Sequence, residues 1–579
     1  MFQKIQFVSY IMILSTIVLF TVAGVASSIV VDKNDRKSGD HFRFSNLYTD
    51  NMVLQSAPKK AQIWGFSMHL NDEIIVTFQN TNISATVTKT IDGRFTWSAF
   101  LPPTPSSLQE YQIHVFDGRS EINVQNILFG DVWICSGQSN MAYSLNGSNG
   151  VALVHPPVNN SLYEIQDMIN YPHMRLYRGG QIAGVTSEQL ELPRPTSGGS
   201  KEVTIGWSKP CPSGDFNSCR SDFSSMCYFF GRNLQATLKL KTGKILPIGL
   251  IGTYYGGTAD ELWSSKDALS ECLDPQKPVP KIDSTLWNAM IFPILKTTIK
   301  GAIWYQGEAD SKHPGGIYDG YNCTFPAMIS DWRRKWHTHT NGETDQNFPF
   351  GFVQLDSIGN DTIFNNPKDP EDDAFSPQFG YAGLRWAQTV GYGSVPNPVQ
   401  KNVYMAISYD TPDRPYKFIS KLNGRGDIGF NVHSPFKQYP AARLCRSIVS
   451  GVYGIDVDTS GPLFDRVLKK TSNETIIQIK NVGSMGGIIR HNYSKGFEIL
   501  NEKDMKWYNA VIAYTTTDTI TIKHDVTALS NGIKLRYNWY SNPCGIYCFE
   551  CAIYVKVKPL GFLTGMKDFL PLAPFIVDL

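Results

Sequence analysis

The chain is 579 residues long, enough for several domains that each bury a core, and it is neither a peptide nor a bare module. Lys and Arg together number 53 against 51 Asp and Glu, a formal net charge of +2, so nothing in the charge points to a nucleic-acid backbone or an anionic membrane surface. The substrate class has to come from a site.

In chain order, Lys4 precedes the apolar run IMILSTIVLFTVAGVA, with Gly24 and Ala26 at a spacing that suits signal peptidase. Residues 1–26 read as a signal peptide, with an uncleaved signal anchor as the alternative because the run is long. Seven Asn-x-Ser/Thr sequons agree with that route: Asn82, Asn146, Asn159, Asn322, Asn360, Asn473 and Asn492. Ten cysteines fit the same oxidising compartment. Cys544, Cys548 and Cys551 have metal-cluster spacing, as do Cys211, Cys219 and Cys227, but disulfides are the preferred reading of both groups.

Residues 42–130 show short β-like runs, at 62–64 and 73–78, broken by turns such as Asp92-Gly93, and predict an N-terminal β domain. From 131 to 452 apolar strand candidates at 245–252, 301–305, 349–355 and 403–409 alternate with helical stretches at 226–240, 321–336 and 381–390. That alternation predicts a three-layer α/β domain with a mostly parallel sheet. After Thr459-Ser460-Gly461-Pro462 short strands return, as at 475–479 and 519–522, and predict a C-terminal β-sandwich-like domain over 455–579. Residues 193–201 and 365–373 read as surface loops, and the tail FLPLAPFIVDL as a packed terminus rather than an anchor.

In an open α/β sheet, ligands bind beyond the carboxyl ends of the strands. GDVWICSGQSNM (130–141) runs from a strand into such a turn, where Ser139 is either a nucleophile or the N-cap of the helix that follows. A nucleophilic serine needs a base, and His433 lies in the loop beyond the last predicted strand, ahead of a helical stretch at 441–450. His313 is a weaker competitor. His337 and His339, with only Glu343 nearby, fall in a polar linker and read as solvated. Tyr255-Gly256-Gly257-Thr258 could present a backbone N–H to an oxyanion, and Gln306 in Trp304-Tyr305-Gln306-Gly307-Glu308 offers an amide donor.

GDVWICSGQSNM, YYGGTADELW, LWNAMIFPI, AIWYQGEAD, LRWAQ and HSPFKQ, in that order, together resemble the sialate O-acetylesterase family of the SGNH hydrolases. NLYTDNMVLQ, IGWSKP and FSSMCYFFGRNL are also similar to that family, so the resemblance runs from Asn46 to Leu444 and on into the C-terminal part. It implies an SGNH-type esterase domain over 131–452, with Ser139 as nucleophile in preference to Ser136. It further implies His433 as base, and Gly257 (or Gly256) and Gln306 at the oxyanion. Asn288, Glu308 and Arg385 would line or brace the substrate pocket. The implied activity is a serine carboxylesterase that releases acetate from O-acetylated sialic acids, needs no metal or organic cofactor, and is secreted or lysosomal. The implied partner is an O-acetylated sialic acid or sialoglycoconjugate, with no nucleic acid and no membrane span after signal cleavage.

The chain departs from the family at the base, where relatives read Asp-x-His-Pro and this sequence has Asn431 and Ser434. An amide oxygen can orient the imidazole but does not stabilise imidazolium as a carboxylate does. The third member is therefore open between Asn431, Asp427 and Asp410. Two competing readings follow: an acetyl esterase of other acetylated polysaccharides, and an inactive carbohydrate-binding glycoprotein.

Overall fold

The computed structural model describes residues 41–149, 154–196, 202–211, 219–220, 222–272, 284–312, 318–357, 380–412, 433–471, 473–491, 496–524, 532–540, 543–544, 548–560 and 568–579. The expected signal segment, His313, Asp427, Asn431, Asn360 and Asn492 lie outside the described residues, as does the loop expected at 365–373. No helix among the described residues is long and apolar enough to cross a membrane.

The N-terminal part contains a four-stranded antiparallel sheet made by Arg43–Phe44, Gln62–Ser67, Phe95–Phe100 and Thr86–Lys89. Beside it the hairpin Ile75–Phe78 and Thr81–Ser84 pairs with Ser107–Phe116, which in turn pairs with a long strand, β1 (Glu121–Gly137). β1 does not stop where the β-rich region ends. Its second half becomes the middle of the next sheet.

That sheet is built from β1, β2 (Met174–Arg178), β3 (Ile248–Tyr254), β4 (Gly301–Tyr305), β5 (Phe350–Gln354) and β6 (Val403–Ile407), in the order β2-β3-β1-β4-β5-β6. All five of these pairings are parallel. Among the described residues as a whole antiparallel ladders predominate, including the pairing of β2 with Ile205–Pro210. β3, β4 and β5 are buried along their whole length, which explains why they read as unbroken apolar runs and not as alternating ones.

Successive side chains of a strand point to opposite faces, and each face finds its own helices. Trp133, Cys135, Ile303, Tyr305 and Val353 share one core with Phe230 and Leu234 of α1 (Ser225–Thr242) and with Leu444 and Ile448 of α2 (Gln438–Tyr453). Val132, Ile134, Ala302, Trp304, Phe350 and Phe352 share the other with Phe325, Trp332 and Trp336 of the helix Tyr318–His339. α1 is set by its ends: the Ser224 hydroxyl accepts from Cys227 N at 3.1 Å, and Gly243 closes the helix at φ +72. His337 and His339 form the last turn of Tyr318–His339 and are half-buried, so they do not lie in a solvated linker.

The C-terminal part is β-rich. A seven-stranded antiparallel sheet from Leu463–Lys470 to Phe575–Asp578 packs around Ile477, Phe497, Ile520, Leu535 and Tyr537, with a three-stranded sheet beside it. Cys544 is bonded to Cys551, and Cys272 to Cys323. Cys227 joins Cys135, not a cysteine of its own local group, and so ties α1 to β1.

Candidate active site

β1 ends at Gly137, which has φ +136; a Cβ there would lie 2.2 Å from Tyr305 O. Only glycine fits that close approach. Gln138 N donates to the same carbonyl at 3.0 Å, and Tyr255 N donates to Gly137 O at 3.0 Å. The turn is thereby clamped between the ends of β4 and β3. A single helical turn, Ser139–Ala142, follows.

The N-cap of this turn is Gln138, and Ser139 is its first helical residue. Capping does not occupy the Ser139 hydroxyl, which meets His433 Nε2 at 2.7 Å across 294 positions of sequence. Ser139 is half-buried and His433 is 8% exposed. The Tyr143 ring stacks on the imidazole, with centroids 6.5 Å apart and an interplanar angle of 29°. Ser136 is fully buried within β1.

Gly256 and Gly257 are exposed, and a Cβ on Gly256 would lie 3.4 Å from Ser139 Cβ. Gly257 has φ +75, a conformation that favours glycine, and a Cβ there would meet no atom within 4 Å. The turn therefore faces open space beside Ser139. Its shape is held from behind: Thr258 Oγ1 donates to Tyr255 O at 2.7 Å and accepts from Trp263 Nε1 at 3.0 Å.

Gln306 belongs to that support. Its Nε2 donates to Thr258 O at 3.0 Å and to Asp310 Oδ2, and its Oε1 accepts from Tyr321 OH at 3.1 Å. Both amide protons are used inside the protein, so in this arrangement the side chain braces the glycine turn instead of reaching an oxyanion. Glu308 is buried and its Oε1 accepts from Asn140 Nδ2. Asn288 Nδ2 donates to Val185 O at 3.1 Å, beside a cavity of about 630 Å³ that Trp287 and Lys335 also line. Neither Ser139 nor His433 lines that cavity.

Arg385 is fully buried and spends its guanidinium on carbonyls: Nε on Leu355 O at 2.7 Å, Nη2 on Asp356 O at 2.9 Å and Nη1 on Tyr540 O at 2.7 Å. It joins the central sheet to the C-terminal part and is not presented to a substrate carboxylate. Asp410, one candidate for the third member, makes a two-pronged ion pair with Arg443 at 2.6 and 2.8 Å and accepts from Tyr554 OH at 3.2 Å.

Three groups were given no role from sequence. Lys437 Nζ donates to Asn140 Oδ1 at 2.6 Å and lies over the Tyr143 and Tyr305 rings. Asp356 is buried near it; burial pushes its carboxyl up to about 8 despite the opposing charge of Lys437. Asp260, Glu261 and Asp310 bring one carboxylate oxygen each within 4.8 Å of one another, the metal-ligand spacing found among the described residues. Burial and then the charge of Glu261 push Asp310 up to about 8, and Asp260 rises for the same reasons.

A family profile described as the sialate O-acetylesterase C-terminal domain matches residues 466–578. Sialate O-acetylesterase of Mus musculus is 30% identical over 593 residues, covering 95% of this chain and 97% of that protein. Sialate O-acetylesterase of Homo sapiens is 32% identical over 537 residues, covering 90% and 91%. Among solved structures, a carbohydrate acetylesterase from Xanthomonas citri is 22% identical, with a TM-score of 0.67 over 93% of this chain and 99% of that one. At that identity the likeness is one of fold.

Proposed function

We propose that this chain, which belongs to the sialate O-acetylesterase family, is an esterase that removes O-acetyl groups from sialic acids with Ser139 as nucleophile and His433 as base. The observation that carries the reading is the 2.7 Å contact between Ser139 Oγ and His433 Nε2, made by residues 294 positions apart at the exposed mouth of a glycine turn. An SGNH-type arrangement of the central sheet accompanies this reading, with the turns after β1, β3 and β4 converging on Ser139.

Ser139 Oγ attacks the acetyl carbonyl carbon while His433 Nε2 takes its proton. The negative charge that develops on the carbonyl oxygen is met by the backbone N–H groups of Ser139 and Gly257, which the flanking turns hold in place beforehand. Collapse breaks the ester bond, His433 returns the proton to the sugar oxygen, and acetyl-Ser139 remains. Water, deprotonated by His433, then attacks the acyl carbon; the proton returns to Ser139 Oγ as acetate leaves. In sum one ester and one water give one alcohol and one acetic acid.

The test is acetate release from 9-O-acetyl-N-acetylneuraminic acid by the purified protein, run beside Ser139→Ala and His433→Ala. Loss of release in both variants, with unchanged thermal melts, is the expected result. Turnover by Ser139→Ala at the wild-type rate rejects the nucleophile, and faster release from acetylated xylan rejects the substrate class.

A further inference from the structure

Lys437 follows His433 by four residues, at the N-terminus of α2, and is 1% exposed. Its ammonium donates to Asn140 Oδ1 at 2.6 Å and sits 5.1 and 5.2 Å from the ring centroids of Tyr143 and Tyr305. Asn140 is the residue after Ser139, and its Nδ2 donates to Glu308, just past the end of β4. One buried cation thus joins the base loop, the nucleophile's helical turn and the end of the neighbouring strand.

Burying an ammonium is costly, and the buried Asp356 carboxyl lies near enough to interact with its charge. The distances give the lysine a further role. Holding Asn140 Oδ1 fixes the second residue of a helix only four residues long, and with it the direction of Ser139 Oγ and of the Ser139 N–H. Glu308 holds the other end of the same carboxamide, so the turn cannot roll about its axis without breaking one bond or the other.

Resting on the reading of Ser139 and His433 as the reacting pair, we propose that Lys437 is a positioning residue for acyl transfer, keeping the first turn after the nucleophile aligned with the base loop. The contact acts on geometry that matters most as the tetrahedral intermediate forms, so its loss falls on kcat and leaves KM nearly unchanged.

The test compares wild type, Ser139→Ala, Lys437→Ala and Lys437→Met on 4-nitrophenyl acetate, each with a thermal melt; methionine keeps the length of the side chain and has no N–H to donate. The expected result is a kcat lower by about 10- to 100-fold in both Lys437 variants with KM within about twofold, since misplacement by about an ångström costs on that order. Ethylammonium added to Lys437→Ala is expected to restore part of kcat, while tetramethylammonium, which has no N–H to donate, is not. Wild-type kcat in Lys437→Met, or a loss that ethylammonium leaves untouched, overturns the proposal. Should Lys437→Ala melt early, Lys437→Met supplies the kcat and KM comparison without opening a cavity. The two readings separate cleanly: activity surviving in Ser139→Ala rejects the reacting pair, whereas a dead Ser139→Ala beside an unimpaired Lys437→Met rejects only the lysine's role.

Discussion

Gly137→Ala offers the sharpest check on how the nucleophile turn is built. The added methyl would sit 2.2 Å from Tyr305 O and 2.8 Å from Tyr305 C, both backbone atoms of a central strand. Since Cβ contacts under 3.0 Å are essentially never seen, β1 and β4 have to part by about 0.8 Å, the difference between 3.0 and 2.2 Å. Alanine is also strained at φ +136 by roughly 1–3 kcal/mol, and overpacking adds roughly 1–3 more, so the cost is on the order of 4 kcal/mol. The shift falls two residues before Ser139, where 0.8 Å is enough to stretch the 2.7 Å contact with His433 beyond a good hydrogen bond. A fall in kcat/KM of about 100-fold is expected with an aryl acetate, together with a lowered melting temperature. If the variant melts with the wild type and turns over within twofold of it, the clamped-turn argument is wrong.

Gly256→Ala is the contrasting case: its methyl would meet Ser139 Cβ at an ordinary 3.4 Å, so the melt is expected to stay put while turnover drops about tenfold, and more for butyryl than for acetyl esters. A rate loss equal for both acyl chains would argue against that methyl occupying acyl space. Arg385→Met strands the carbonyls of Leu355, Asp356 and Tyr540, an expected loss on the order of 3–5 kcal/mol read by denaturant melts, with KM for anionic and neutral substrates moving together. A KM rise confined to the sialic acid substrate would return Arg385 to the substrate pocket. For Asp310, the folded-state value is raised, so its contribution is fully present below the unfolded value and is lost as pH rises from about 4 through about 8. Stability is expected to fall by up to ~1.4 kcal/mol per pH unit across that window and to fall less steeply in Asp310→Asn. Asp260 shares the trend, so the flattening is partial; identical slopes in the two proteins would refute the assignment.

The strands at 301–305 and 403–407 were legible because a strand buried on both faces has to be apolar throughout, and the helix Ser225–Thr242 because Ser224 and Gly243 mark its ends. Ser139 and His433 were legible as a pair of residue types at strand ends, and their contact was not, since sequence carries no distance across 294 positions. The direction of the Gln306 amide and of the Arg385 guanidinium was beyond reach for a related reason. A motif locates a side chain on an element, while its rotamer is settled by neighbours such as Thr258, Asp310 and Tyr540 contributed from elsewhere in the chain. Lys437 had one weak signal, a lysine four residues from a candidate base, which reads equally well as a solvated helix start. Pro326 gave a contrary one, because proline argues against a helix interior, yet the helix Tyr318–His339 runs through it with Trp332 and Trp336 packed in the core.

β1 has 17 residues, and the change in character at Gly130 and Asp131 falls inside it. Its first half is hydrogen-bonded to Ser107–Phe116 and Val53–Gln55, and its second half to β3 and β4. The N-terminal strands and the esterase sheet are thus sewn to a single thread whose end is the nucleophile turn. Such a protein is a poor subject for module exchange: an N-terminal deletion up to residue 130 would leave Asp131 as a raw chain end and strip Gln55, which donates to its carboxylate at 2.8 Å and accepts from Val132 N at 3.0 Å. Recombination between relatives would have to cross over elsewhere, and disturbance in the outer β-rich part would travel along one strand to Ser139.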